Sequence, residues 1–135
     1  MAIAYRALTG TILNAFYTVY NALGYGFLEK VYENALAYEL RRRGLHAEPQ
    51  QQLNVLYDGV IVGEYFADLL VEHVVVLELK AADAIDESHT AQLINYLKAT
   101  KCEVGFMLNF GPEPKFERRY FSNHRKTLLS HTNPR

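Results

Sequence analysis

The segment 73–80 constrains the fold of this chain more than any other part of the sequence. Three successive valines are followed by Leu77 and Leu79, so apolar side chains would alternate onto both faces of a strand. A strand that is apolar on both faces is typical of the centre of a sheet with both sides covered. The segment therefore predicts an α/β domain with helices packed on each face of a sheet.

Two helices are predicted before this strand, because apolar residues recur there at steps of three and four. The first is marked by Leu8, Ile12, Phe16, Val19 and Leu23. The second extends over about 28–43, and Gly24 and Gly44 are predicted to end the two helices. Its predicted buried stripe is Leu28, Val31, Ala35, Leu36 and Leu40.

The strands are predicted because the apolar residues change from steps of three and four to alternation with polar residues. Asp58-Gly59 is a strong signal for a tight turn that joins a strand ending at Tyr57 to a return strand at 60–71. After the central strand we expect a helix capped by Ser88 and two strands at 103–110 and 115–121, the last one at an edge. This order predicts a mixed sheet with helices on both faces.

Length and composition limit the possible classes of protein. The 135 residues suffice for one domain, predicted at 1–122, and a polar basic tail at 123–135. The net charge of -1 argues against a protein that coats nucleic acid mainly by electrostatics, although a local basic patch remains possible. The single cysteine, Cys102, cannot form an intrachain disulfide, which favours a reducing, cytoplasmic location. No segment is apolar enough to cross a membrane, and the N-terminal apolar run reads as a helix and not as a signal peptide.

Charged residues interrupt the apolar strands at two places. Asp68 lies in a strand, and Glu78 and Lys80 stand two apart in the most apolar one, so the latter two share a face. If the intervening loop is centred on His73, Asp68 lies opposite Glu78 and all three side chains converge. A two-residue turn would place Asp68 on the other face unless a bulge restored it. We adopt the convergent arrangement.

Two neighbouring carboxylates repel each other, and burial raises their pKa values. A divalent cation reverses that penalty, and oxygen ligands suit Mg²⁺ or Mn²⁺. An adjacent lysine can stabilise charge on a phosphate or help to deprotonate a water molecule. Asp68, Glu78 and Lys80 therefore form a coherent set for metal-assisted phosphodiester hydrolysis. The alternative is a buried ion pair without catalysis.

Three residues on the helices are further candidates. Glu29 lies in the first turn of the second helix, where the helix dipole alone would favour a carboxylate. Gln92 and Tyr96 are four apart and share a face of the third helix. By spacing alone, this pair is more simply explained as a surface residue and a residue at the edge of the core than as part of a site.

These residues together resemble the motifs of a known superfamily. Asp68 and the Glu-Leu-Lys at 78–80 resemble the PD-(D/E)xK nuclease signature, and 92–96 resembles the QxxxY motif of its RecB-like branch. The segment 26–32 matches the GxxExxY pattern, which names a family of small proteins assigned to that superfamily. The similarity extends over about 8–121, and the three motifs in this order are far more specific than any one of them.

The resemblance implies a restriction-endonuclease-like α/β core and a nuclease activity. It implies that Asp68, Glu78 and the backbone carbonyl of Leu79 bind Mg²⁺ or Mn²⁺. Lys80 would position or activate the attacking water, and Glu29 would reach the same site as a ligand of the metal or of water. The expected reaction is hydrolysis of a phosphodiester in nucleic acid.

The resemblance also gives Gln92 and Tyr96 a role, which is to orient the site or to contact the substrate backbone. Two positions depart from the family pattern. Tyr25 stands where a proline usually precedes the motif glycine, and Tyr20 stands where the preceding helix often carries a histidine.

Binding of a nucleic-acid substrate would depend on basic residues. Lys115, Arg118 and Arg119 are the candidates for phosphate contact near the C-terminus. The arginines at 41–43 are more simply explained by a helix C-terminus. We expect a nuclease that acts on nucleic acid, with DNA favoured, in repair, recombination or defence. The rival hypotheses are a non-catalytic nucleic-acid-binding module and a protein-interaction module, and a homodimer or a protein partner is possible in each case.

Overall fold

The computed structural model describes residues 5–126, and its elements follow the predicted order. The helices are α1 (Arg6–Leu23), α2 (Glu29–Arg42) and α3 (Glu87–Ala99). The strands are β1 (Ala47–Tyr57), β2 (Val60–Val71), β3 (Val75–Lys80), β4 (Val104–Phe110) and β5 (Pro114–Tyr120). A short 3₁₀ turn follows at Asn123–Arg125.

The five strands form one mixed sheet in the order β1-β2-β3-β4-β5. Neighbouring strands are antiparallel except β3 and β4, which are parallel. The helix α3 makes the crossover that a parallel pair requires. The predicted mixed sheet is therefore confirmed, with β3 at its centre and β5 at an edge.

Both faces of the sheet are covered, as the apolar pattern of 73–80 predicts. The helices α1 and α2 pack on one face, over a core that includes Val75, Leu77 and Leu79. The helix α3 packs on the other face, over a core that includes Val76 and Met107. Alternate residues of β3 thus enter two separate cores.

The buried stripe of α2 differs from the prediction at its N-terminal end. Leu28 is 80% exposed and Val31 is also exposed. Leu28 is the N-cap residue with extended backbone, so the helix begins at Glu29 and its inward face is shifted. The buried residues are Tyr32, Glu33, Leu36, Ala37, Glu39 and Leu40.

The cap of α3 also differs from the prediction. Asp86, and not Ser88, is the N-cap residue. Its carboxylate accepts hydrogen bonds from the backbone N–H groups of Ser88 (2.9 Å) and His89 (3.2 Å), and His89 Nδ1 accepts the N–H of Asp86. This is a capping box with histidine in the place of the usual acid or amide, so sequence alone favoured the wrong residue.

The β2–β3 hairpin has the predicted register. Val71 pairs with Val75 and Leu69 pairs with Leu77, which leaves a three-residue loop centred on His73. Continuing this register would place Asp68 opposite Glu78.

The C-terminal end of the described chain lies against the domain. Lys126 Nζ donates hydrogen bonds of 2.7 Å to the carbonyl oxygens of Thr100 and Cys102. The boundary at 122/123 remains a prediction, and residues 127–135 of the predicted tail lie outside the described residues. Among the described residues, no helix is both long and apolar enough to span a membrane.

Candidate active site

The strands β2 and β3 separate where the charged residues lie. Their ladder ends at Leu69 and Leu77, and beyond it the N–H of Leu79 donates a 2.7 Å hydrogen bond to Asp68 Oδ2. A side chain thus replaces the backbone acceptor that a continued ladder would have provided. The carboxylate of Asp68 is held in the gap between the two strands.

An irregularity in β2 allows Asp68 to take this position. Ala67 and Leu69 are two residues apart, yet they enter the cores on opposite faces of the sheet. The residue across from Asp68 on β1 is Gln50, which has a positive φ of 50°. Such a local break in a pleated pair redirects side chains. Asp68 therefore does not follow simple alternation.

Glu78 is the most deeply buried charged residue of the site, with 4% of its surface exposed. Burial, and secondly the neighbouring Asp68 carboxylate, raise the pKa of Glu78 to about 9. Its Oε2 atom is buried and finds no hydrogen-bond donor among the described residues. A buried oxygen without a donor is costly, so this atom requires a compensating positive charge or a proton.

The pKa of Asp68 is also raised, mainly by burial and further by the Glu33 carboxylate. The hydrogen bond from Leu79 N–H and the charge of Lys80 act in the opposite direction. Lys80 likewise lowers the pKa of Glu78. The structure thus brings Asp68, Glu78 and Lys80 together, and we call these three residues the acidic site.

Glu33 on α2 lies beside the acidic site, and sequence analysis missed it. The amide of Gln50 donates to Glu33 Oε1 (2.9 Å) and, at 3.5 Å, to Asp68 Oδ1. Lys30 Nζ pairs with the other oxygen of Glu33 at 2.9 Å. A buried acid directly after Tyr32 on the inward face of α2 was the available signal. Glu29 is one turn earlier and exposed, and no hydrogen bond or ion pair joins it to the acidic site in the described structure.

Gln92 and Tyr96 lie on α3, and they differ in environment. Gln92 is exposed, and its Nε2 donates a 3.1 Å hydrogen bond to the carbonyl oxygen of Phe66. Tyr96 is 1% exposed within the core between α3 and the sheet. Gln92 therefore fastens α3 to β2 two residues before Asp68.

The comparison with protein families agrees with this arrangement. A model of the PD-(D/E)XK nuclease superfamily matches residues 6–121. The chain belongs to the PD-(D/E)XK nuclease superfamily.

A solved structure shares the fold of this PD-(D/E)XK domain. The crystal structure of SSO0001 superposes with a TM-score of 0.58 at 17% sequence identity, covering 89% of this chain. The chain spans 61% of that protein's length. With the family match, this likeness shows the restriction-endonuclease-like fold that the sequence predicts. No curated protein sequence matches the chain.

In the PD-(D/E)XK domain, Asn109 holds the chain that leaves the acidic site. Asn109 pairs with Lys80 across β3 and β4 and is 1% exposed. Its amide accepts from the N–H of Ala82 at 3.0 Å and donates to the carbonyl oxygen of Ala82 at 2.9 Å. An asparagine inside the otherwise apolar β4 was a signal that sequence analysis did not use.

The loop after β4 packs against the same segment, at Ala82. A Cβ atom at Gly111 would lie 2.1 Å from the carbonyl oxygen of Ala82, so only glycine fits there. The hydroxyl of Tyr20 lies 2.8 Å from the carbonyl oxygens of both Gly111 and Pro112. Tyr20, at one of the two positions that depart from the pattern in the sequence, thus binds this loop to α1.

The three predicted phosphate-binding residues on β5 divide between the faces of the sheet. Lys115 pairs with Asn109, which itself pairs with Lys80, so these residues form one row on one face. Arg119 shares this face by alternation, and its guanidinium pairs with Glu117 at 2.7 Å. Arg118 points to the opposite face, near the ring of Tyr120.

Proposed function

We propose that this chain is a metal-dependent nuclease that hydrolyses phosphodiester bonds of nucleic acid, with DNA as the favoured substrate. The observation that carries the proposal is the acidic site, where a buried carboxylate oxygen without a donor faces a second carboxylate and a lysine. The membership of the chain in a nuclease superfamily supports the same reaction.

The acidic site fits a hard divalent cation. Asp68 and Glu78 offer oxygen ligands only, which favours Mg²⁺ or Mn²⁺. The N–H of Leu79 points towards Asp68, and in an extended strand the carbonyl of the same residue points the same way. Asp68, Glu78 and the Leu79 carbonyl would therefore hold the ion. When bound, the ion supplies Lewis acidity and lowers the pKa of water.

The remaining steps belong to side chains of the protein. The ammonium of Lys80 stabilises negative charge on the phosphate and orients the attacking water. Asn109 is a positioning residue, because it fixes the backbone that follows Lys80. Gln92 positions β2 near Asp68 through its hydrogen bond to Phe66. Tyr96 supports α3 by packing in the core between this helix and the sheet.

Two acids on α2 are candidates for a further ligand. The family resemblance assigns this role to Glu29, whereas Glu33 is the acid that lies beside Asp68. The variants Glu29→Gln and Glu33→Gln form a matched pair for deciding between them. The acid that assists the reaction loses cleavage activity on substitution, and the other variant retains it.

The motif residues support a narrower assignment as well. We place the chain in the GxxExxY family and the RecB-like branch, because Gly26, Glu29 and Tyr32 occur with Gln92 and Tyr96 at the motif spacings. A role in repair, recombination or defence and a cytoplasmic location follow as part of the same proposal.

Lys80 and Lys115 flank the buried Asn109 in one row across the sheet, so both lysines can approach substrate phosphates on the same face. Lys115 and Arg119 then contact phosphates on one face. Arg118 contributes from the other face, where a longer substrate would wrap around the edge strand β5. A homodimer or a protein partner remains a prediction.

The deciding experiment is cleavage of labelled single- and double-stranded DNA and RNA by the full chain. Cleavage is expected with Mg²⁺ or Mn²⁺ and not with EDTA, and Lys80→Ala is expected to lose about 10³-fold in rate. Lys101→Ala, which changes an exposed lysine outside the site, is the matched control. Cleavage that persists in EDTA or in Lys80→Ala would contradict the proposal. Retention of nucleic acid without any cleavage would instead favour the non-catalytic binding module.

A further inference from the structure

A second group of metal-ligating side chains lies at the loop end of the β2–β3 hairpin. It consists of His46 and Glu48 at the start of β1 and His73 in the hairpin loop, and we call it the histidine cluster. His46 Nε2 lies 3.3 Å from Glu48 Oε2, and His73 Nδ1 lies 3.5 Å from Glu48 Oε1. One ligand atom from each residue can be chosen so that all lie within 4.8 Å of one another.

The backbone holds the histidine cluster in place without the aid of the three side chains. The N–H of His46 donates to Glu72 Oε2 at 2.6 Å, and the N–H of Glu72 donates to the carbonyl oxygen of His46 at 2.8 Å. The hairpin loop is therefore bound to the chain just before β1 through both backbone groups of His46, its N–H and its carbonyl oxygen. The imidazole rings of His46 and His73 then lie 4.9 Å apart between centroids.

The loop adopts an unfavourable backbone conformation to present His73. Glu72 and His73 have φ values of 52° and 61°, a left-handed pair that glycine or asparagine would adopt more easily. A glutamate and a histidine at these two positions cost conformational energy in a turn. Both side chains are used, since Glu72 binds the backbone of His46 and His73 faces Glu48.

We propose that the histidine cluster binds a divalent transition metal such as Zn²⁺ through His46 Nε2, His73 Nδ1 and the Glu48 carboxylate. Ligand bonds of about 2.0–2.1 Å in tetrahedral geometry place ligand atoms about 3.4 Å apart. Each histidine nitrogen lies near that distance from a different oxygen of Glu48, so the carboxylate would use both oxygens or rotate slightly to join both histidines on one ion. Two imidazoles favour Zn²⁺, Co²⁺ or Ni²⁺ over Mg²⁺. The side chains of His46 and His73 are more than half exposed, so a further coordination position is open to water or to a ligand.

This site is separate from the acidic site in position and in chemistry. The two lie at opposite ends of β3, roughly 15–20 Å apart at about 3.3 Å per residue. One offers only oxygen ligands and the other offers mainly nitrogen. A bound transition metal would fasten the hairpin loop to β1, and no step of phosphodiester hydrolysis depends on it.

The test uses the full chain, without an affinity tag, freed of metal by chelation. Co²⁺ is titrated while its visible absorption is recorded, and Zn²⁺ binding is measured by calorimetry. We expect one high-affinity equivalent, a Co²⁺ spectrum with imidazole ligation, and a melting midpoint raised by Zn²⁺. His46→Gln, His73→Gln and Glu48→Gln should each weaken Zn²⁺ binding by about tenfold or more.

Two comparisons make the result decisive. His124→Gln removes an exposed histidine elsewhere and should leave Zn²⁺ affinity unchanged. The double variant Asp68→Asn, Glu78→Gln disables the acidic site and should retain the Co²⁺ spectrum, which separates this proposal from the nuclease proposal. Parent-like Zn²⁺ affinity in His46→Gln and His73→Gln, or no Zn²⁺ binding by the parent, would overturn the inference.

Discussion

The two ends of the β2–β3 hairpin both gather ionisable side chains, but they do so in opposite environments. In the acidic site, burial raises the pKa values of Asp68 and Glu78. A neighbouring carboxylate raises each further, that of Glu33 for Asp68 and that of Asp68 for Glu78. In the histidine cluster, His46 and His73 are largely exposed to solvent. Charges that water already solvates cost little, whereas buried carboxylates store free energy that a cation or a proton must release. This difference in burial is the reason why we propose catalysis at one end of the hairpin and binding alone at the other.

The largest expected effect tests whether the buried end is the reactive one. Asp68→Asn keeps the shape of the side chain but removes its charge, so cleavage of DNA with Mg²⁺ should fall by about 10³-fold or more. Glu64→Gln neutralises an exposed carboxylate on the same strand and serves as the control. Equal rates for the parent and Asp68→Asn in a single-turnover assay would contradict the proposal that the acidic site is the reactive end of the hairpin.

The next effect measures the free energy stored by Glu78. Its pKa is about 9 in the folded protein against 4.5 for an unperturbed glutamate, so between these values the folded state binds more protons than the unfolded state. The free energy of unfolding should therefore fall as pH rises from about 5 to 9. Glu78→Gln, which removes this titration, should stabilise the protein by about 2–3 kcal/mol near neutral pH.

Urea unfolding in EDTA across this pH range measures the difference. The curves for the parent and Glu78→Gln should converge at the acid end, where the parent is protonated in both states. Glu113→Gln, an exposed acid in the loop before β5, should follow the parent throughout. A gap that does not depend on pH would show that burial of a charge is not its cause.

A smaller effect concerns the support of the acidic site. Asn109→Ala removes two hydrogen bonds to Ala82 and leaves its partly buried backbone groups without this partner, which should cost about 1–2 kcal/mol in the free energy of unfolding. Asn21→Ala, on the exposed face of α1, is the control for chemical denaturation. Because Asn109 lies opposite Lys80, the kcat of cleavage should also fall while KM changes little. An increase in KM alone would assign Asn109 to substrate binding.

The smallest expected effect concerns the histidine cluster, at the exposed end of the hairpin. Without metal, Glu48→Gln alters two solvent-exposed contacts, with His46 and with His73, and should change the free energy of unfolding by less than about 1 kcal/mol. Thermal or urea unfolding in the presence of a chelator measures it. A loss as large as that of Asn109→Ala would mean that the histidine cluster supports the fold by itself.

The sequence could predict the sheet because periodicity reports burial directly. The two-sided apolar pattern of 73–80 located β3. The adopted loop centred on His73 has the observed register up to Leu69 and Leu77, but the sequence did not predict the irregularity that places Asp68. The inward face of α2 was wrong at Leu28 and Val31 because a cap residue shifted the start of the helix.

The parts of the sites that the sequence could not predict depend on contacts between distant segments. Glu33 reaches Asp68 only through Gln50, whose left-handed backbone follows no simple pattern. His46 and His73 are far apart in the chain and meet because β1 and the hairpin loop exchange backbone hydrogen bonds. The spacing of apolar residues does not indicate which distant segments will be in contact.

The close approach of Gly111 to Ala82 has a consequence for how this chain can diverge. Tyr20 of the first helix bonds the carbonyl oxygen of Gly111. Gly111 in turn lies against the carbonyl oxygen of Ala82, which Asn109 also binds. A side chain at position 111, or the loss of either polar side chain, disturbs this shared contact, so tolerated changes must arise together. Diverging descendants of this sequence should therefore show linked substitutions at positions 20, 109 and 111, although the first and last are separated by most of the domain.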